Sequence, residues 1–148
     1  MQTQNLYNTD FNAWVYNSID SLKSRRFDDL DIESLIEEME GLAARNRREL
    51  FNRLVILLAH LIKWQYQSNL RCGSWKGTIT VQRMGLEDLL EESPSLKNKF
   101  TELLLDKRLF RRVLDIVIKD TEIYENNLPK ENPFTAKEIL NNEFFPNG

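Results

Sequence analysis

The sequence is short of nearly everything that marks a secreted, membrane-spanning or metal-dependent protein. It holds a single cysteine, Cys72, so no internal disulfide can form. The segment Met1-Gln-Thr-Gln-Asn5 offers neither a basic start nor an apolar h-region, so no secretory signal is expected. Both features lead to the expectation of a cytoplasmic location. The longest apolar run, Leu54 to Ile62, is interrupted by His60 and flanked by Arg53 and Lys63. A bilayer-crossing helix needs about 20 apolar residues, so no membrane partner is expected.

Histidine is equally scarce. With only His60, the chain cannot supply the paired Glu-x-x-His motifs by which helix bundles hold two irons. Glu33, Glu37 and Glu40 share a helical face, but a solvated acidic face accounts for them, and no metal site is expected. Neither a Gly-rich phosphate loop nor a Gly-x-Ser-x-Gly elbow is present, and no cofactor is expected. A Cys-His nucleophile would have to pair Cys72 with His60; Cys72 reads instead as an inert thiol in a turn.

Carboxylates are missing from one stretch. Between Glu49 and Glu87 there is no Asp or Glu, while Arg53, Lys63, Arg71, Lys76 and Arg83 give that stretch a charge of +5 within a chain of net charge -3. These cations must face acidic neighbours in the fold or an outside anion.

What is abundant is helical periodicity. Apolar residues make up 41% of the chain and recur every three to four positions, whereas five glycines and four prolines leave strands little support. The reading is all-α: a single helical bundle of five or six helices with long antiparallel core helices, forming one domain over residues 1–148. Phe11, Trp14, Val15, Ile19 and Leu22 mark a first helix, capped by Thr9 or Asp10 and ending near Arg25. Asp31 caps a second, with Ile32, Leu35, Ile36, Met39 and Leu42 as its apolar face. Leu50, Leu54, Leu57, Leu58, Leu61 and Ile62 continue the stripe, and a break is expected near residues 41–46 because an unbroken helix would greatly exceed ordinary lengths.

Further along, Ser68 to Gly73 reads as a loop, and Ser74 is positioned to cap a helix carrying Trp75, Ile79, Gln82, Leu86, Leu89 and Leu90. Ser93-Pro94 signals the start of a long helix through Leu96, Phe100, Phe110, Leu114 and Val117 to about Asn127. Pro129 and Pro133 forbid its continuation. Thr135 and Glu138 form a capping box for a last short helix, after which Phe144-Phe145-Pro146 is expected to pack back onto the bundle.

Two candidate sites emerge. Arg53 and His60 are seven positions apart on one helix, so they differ by about 20° around its axis and roughly 10.5 Å along it. Downstream, Lys63, Trp64, Gln67, Arg71, Trp75, Gln82 and Arg83 interleave cations, amides and aromatics in the carboxylate-free stretch, a composition suited to stacking bases and holding phosphates. The competing account is structural: Glu33, Glu37 and Glu40 of the second helix could pair with Arg53, Lys63 or Arg83, and Trp14, Trp64 and Trp75 could be core or boundary aromatics whose indole N–H groups find partners.

Several ordered blocks carry a resemblance: Tyr7-Asn-Thr-Asp-Phe-Asn-Ala-Trp14, Arg26-Phe-Asp-Asp-Leu-Asp31, Leu35-Ile-Glu-Glu-Met-Glu40, Arg48-Glu-Leu50, His60-Leu-Ile-Lys-Trp-Gln-Tyr-Gln67, Ser74-Trp75, Thr78-Ile79, Gln82-Arg83 and Pro94-Ser-Leu96. Over nearly its whole length the chain resembles the bacterial domain-of-unknown-function family twenty-nine. The resemblance implies an all-helical fold and a bacterial origin, and no established activity. Ser68 stands where the family usually has proline, and Asn132 where it often has cysteine. Arg53 and His60, separated by six residues, are also similar to the Arg-x4-6-His signature of HEPN ribonucleases, small helical domains often found as toxins and acting across a dimer.

Two functions are therefore in view. One is a non-catalytic interaction module binding a protein partner or RNA, with a homodimer among its forms. The other is a HEPN-like, metal-independent ribonuclease of toxin type that uses Arg53 and His60.

Overall fold

A computed structural model describes residues 2–147 of the chain, with side chains from Leu6 onward. Among these residues there are seven α-helices, short 3-10 turns and no strand, against the five or six helices expected. The chain divides into two compact units, residues 1–45 and residues 46–148.

The first unit opens with a helix the periodicity does not reveal, α1 (Gln2–Thr9), because its sequence lacks an apolar stripe. Asp10 then caps α2 (Phe11–Lys23), its carboxylate accepting from the Ala13 N–H at 3.1 Å. α2 stops two residues before the expected end: Arg25 adopts a left-handed conformation (φ 58°), and the Arg26 N–H closes on the Ser21 carbonyl at 2.8 Å. A 3-10 turn, Phe27–Asp29, leads to Asp31, which caps the next helix through the Ser34 N–H at 3.2 Å and the Ser34 hydroxyl at 2.6 Å. That helix, α3 (Ile32–Tyr66), runs for 35 residues without the expected break. Nothing lies within 4 Å of where a Gly41 side chain would be. One exposed glycine costs a helix only about 1 kcal/mol, and the Leu-Ala-Ala-Arg that follows consists of strong helix formers.

Trp14 is 2% exposed and makes an edge contact with Tyr7 at 4.7 Å, with Phe11 5.5 Å away. The Trp14 indole N–H has no hydrogen-bond partner among the described residues. The Tyr7 hydroxyl donates to Glu38 at 3.1 Å and Glu37 at 3.3 Å. Burial, followed by the bond to Glu38 and the charge of Glu37, pushes the Tyr7 phenol up to about 12. Most of the remaining apolar residues of the α2 and early α3 stripes are not core: Phe11, Ile19, Leu22, Ile32, Ile36, Met39 and Leu42 are exposed, and Val15 and Leu35 are half-buried.

In the second unit the stripe of α3 from Leu50 to Ile62 is completely buried. It packs with α4 (Gly73–Glu92), α5 (Leu96–Leu103), α6 (Lys107–Thr121) and α7 (Ala136–Leu140) around Ile79, Leu86, Phe100, Leu109, Val113, Val117 and Ile139. α4 begins at Gly73 with Cys72 in the cap position and no side-chain cap, so Ser74 does not serve as expected. The expected long helix after Pro94 is two helices. Asp106 interrupts it and caps α6 by accepting from the Leu109 N–H at 2.8 Å, and α6 ends early at Thr121, where Glu122 turns left-handed (φ 61°). The Thr135/Glu138 capping box is present in full. The C-terminal aromatics fold back as expected, Phe145 lying 5.0 Å from Trp64 and Phe144 5.8 Å from Phe134.

Candidate functional site

Arg53 and His60 lie on α3 with different surroundings. The Arg53 Nε donates to Glu49 at 2.9 Å, and its Nη1 donates to Gln82 of α4 at 3.1 Å. Gly85, one turn of α4 further, has no side chain to keep the guanidinium away. His60 is half-buried, its Nδ1 2.8 Å from the Ile56 carbonyl one turn earlier. Burial holds its pKa below 6.5, the Ile56 bond opposing that shift only in part.

The carboxylate-free stretch resolves in a way its charge count does not suggest. Lys63 is 4% exposed; its ammonium donates to Asp120 at 2.9 Å and sits 5.0 Å from the centre of the Trp75 ring. Arg71 donates through Nε to the Trp64 carbonyl at 2.7 Å, in the last turn of α3, and its guanidinium lies 5.2 Å from the Trp64 ring. Gln67 donates to the Thr121 carbonyl at 3.4 Å, where α6 ends. Arg83, 2% exposed, donates to the Ile139 carbonyl at 2.8 Å and the Glu138 carbonyl at 3.3 Å, in the last turn of α7. Burial lowers its pKa.

Three helix C-termini thus receive donors from this one stretch. The last carbonyls of a helix have no intrahelical partner and carry the negative end of its dipole. Backbone oxygens, together with Asp120, receive these cations. The aromatics join the arrangement: Phe145 packs on Trp64 and has Lys76 and Arg83 each 5.6 Å from its ring centre. Trp64 and Trp75 are half-buried, as boundary aromatics. Cys72 is exposed at the start of α4.

Elsewhere in the second unit, a groove of about 450 Å³ is lined by Leu104, Lys107, Phe110, Arg111, Glu125 and Asn132, among others. Arg111 bridges Glu125, at 3.0 and 3.1 Å, and Asp115. Its bond to Glu125 raises its own pKa and lowers that of Glu125. None of the sequence-predicted site residues lines this groove. Among the described residues no cluster of His, Cys, Asp or Glu could hold a metal ion, and no helix is long and apolar enough to cross a membrane.

Sequence reasoning missed a different cluster. Arg108 and Arg112 of α6 place their guanidinium carbons 5.0 and 5.7 Å from the ring centre of Phe51 on α3. The signal was faint, since Phe51 lies far from both arginines in the sequence.

Comparison with curated proteins and with solved structures finds no match. One family model does match, over residues 6–145, and so nearly the whole chain: the chain belongs to the family described as Domain of unknown function DUF29.

Proposed function

We propose that this protein is a non-catalytic interaction module that binds a helical protein partner through its N-terminal unit. The observation that carries the reading is the orientation of the early part of α3. Its inward side is polar: Ser34 is buried and Glu38 accepts from Tyr7. Met39 lies roughly 100° or more round the helix from both. The apolar stripe of Ile32, Ile36, Met39 and Leu42 is 51–68% exposed. In α2, Phe11, Ile19 and Leu22 are likewise 36–47% exposed beside the buried Trp14 and Ser18.

With Tyr16 and Phe27, nine large apolar side chains of this unit face solvent among the described residues. At roughly 90 Å² each they offer about 800 Å² in sum, comparable with one partner's share of a standard protein interface. Helices with an apolar stripe receive partners of the same kind, ridge into groove.

Charge selects among such partners. Residues 1–45 carry nine carboxylates against four cations, and Glu33, Glu37 and Glu40 follow one flank of the stripe. A symmetric pairing with a second copy would set these carboxylates against themselves. An amphipathic helix flanked by lysine or arginine would instead complement them.

The test uses the full chain and labelled helical peptides followed by fluorescence anisotropy. One peptide has leucines at helical spacing flanked by lysines; a second has the same stripe flanked by glutamates; a third scrambles the first. Binding of the first peptide at least tenfold tighter than the other two, lost in Ile36→Glu/Met39→Glu, supports the reading. Equal binding of the three, binding unaffected by the substitutions, or a homodimer that excludes the peptide would overturn it.

A further inference from the structure

The arginines of the second unit fall into two groups. Arg53, Arg71, Arg83 and Arg111 each have hydrogen-bond partners within the fold. Arg47, Arg48, Arg108 and Arg112 are exposed, and none has a hydrogen bond or ion pair among the described residues. These four are not scattered. Arg47 and Arg48 precede Phe51 by four and three positions on α3, the spacings that bring side chains together on a helix surface. Arg108 and Arg112 reach the same ring from α6.

Nearby carboxylates do not neutralise the group. Glu49 is engaged by Arg53, Asp106 by the Leu109 N–H, and Asp115 by Arg111. Two guanidinium groups thus lie over one half-buried ring, and two more stand on the preceding turn of its own helix, in a chain whose net charge is -3. Guanidinium groups packed on an aromatic are held in place, so they lose less freedom when they take up an anion.

The geometry points to a site for the phosphate backbone of a single-stranded nucleic acid at Arg47, Arg48, Arg108 and Arg112 around Phe51. Several features favour phosphate over the carboxylates of an acidic protein. The cluster is all arginine, whose planar fork matches phosphate oxygens with paired hydrogen bonds. Arg108 and Arg112 are separated by one helical turn, about 6 Å along the axis, comparable with the interval between neighbouring phosphates of a strand. Exposed guanidinium planes also offer stacking surfaces to bases, which an acidic peptide cannot use. This inference is independent of the apolar face of the first unit.

The experiment is anisotropy of a fluorescein-labelled 12-nucleotide single-stranded RNA titrated with the full chain between 50 and 200 mM NaCl. If three or four phosphates are engaged, the affinity falls roughly 20- to 50-fold across that range, because each phosphate neutralised on a single strand contributes a slope of about 0.7. Arg108→Ala/Arg112→Ala, with its helical content checked by circular dichroism, should weaken binding at least tenfold at 50 mM and reduce the slope by about 1.4. Arg108→Lys/Arg112→Lys should keep the slope and lose part of the affinity. Lys137→Ala, on α7 and not among the four arginines or their ring, should bind as the parent does. Absence of binding at 50 mM, affinity independent of salt, or an alanine variant that binds unchanged would overturn the inference. So would displacement of the RNA by poly-glutamate at equal charge concentration, which would assign the cluster to acidic protein instead.

Discussion

Gly85 of α4 lies directly against the guanidinium of Arg53 on α3: a side chain added there would overlap the Arg53 Nε and Cζ atoms. The absence of a side chain at this one helical position is what allows Arg53 to reach Gln82 while holding Glu49. Arg53 thereby ties α3 to α4.

Substitution at this point separates helix propensity from the tie. Gly85→Ala should gain about 1 kcal/mol from propensity and lose a similar amount by displacing Arg53, for little net change. In an Arg53→Ala background only the gain remains, so the same substitution should stabilise by about 1 kcal/mol. Urea denaturation of the four proteins measures the difference. Equal effects in both backgrounds would show that the arginine and the glycine are not coupled.

Lys63 and Asp120 should respond unequally to substitution. Lys63 is buried, whereas the Asp120 side chain is 45% exposed. Asp120→Asn leaves an ammonium in the interior with a neutral amide oxygen and Trp75 in place of its counter-charge, and should cost about 2 kcal/mol, below the usual range for a broken buried pair because water reaches residue 120. Lys63→Met removes the buried charge and keeps the packing, so its cost should be under about 1 kcal/mol. Thermal unfolding of both variants tests the order; the reverse order would show that the ion pair itself, rather than the buried charge left behind, matters most.

The buried position of His60 has a pH signature. Its pKa is below 6.5 in the folded protein. Above pH 6.5 the ring is neutral in both states and makes no pH-dependent contribution. As pH falls through 6.5, the unfolded chain takes up a proton that the folded protein resists, so stability declines toward acid. Glu125, held low by Arg111, adds a second loss only at lower pH, below its ordinary 4.5. His60→Gln should therefore flatten the stability profile just below pH 6.5 and leave the more acidic limb intact. An identical profile in parent and variant would show that His60 titrates alike in both states.

Much of the fold was legible because periodic leucines and side-chain caps are local signals. The stripe from Leu50 to Ile62, the caps at Asp10 and Asp31, and the box at Thr135 and Glu138 could each be read from a few neighbouring residues. The division at Asp106 was less visible, since the stripe runs in phase from Leu103 to Phe110 and hides a cap that accepts from Leu109. Periodicity also cannot tell a face that is buried from one that is left open, and so Met39 reads like Leu58 although only Leu58 is inside. The site was less legible still. A count of carboxylates locates the cations between Glu49 and Glu87 but does not see backbone carbonyls, which took up Arg71 and Arg83. Arg108 and Arg112 reach Phe51 from a helix more than fifty positions away in the sequence, an arrangement that only folding creates.

The ring of Phe145 rests on Trp64 beside Lys76 and Arg83, and Pro146, the residue after it, is buried. A protease removing the residues beyond it would therefore stall at that proline, protected by the interior rather than by its own chemistry. Loss of a few more residues would strip the cover from an indole and leave a guanidinium facing water, so the tail behaves as a plug whose removal is felt in the core.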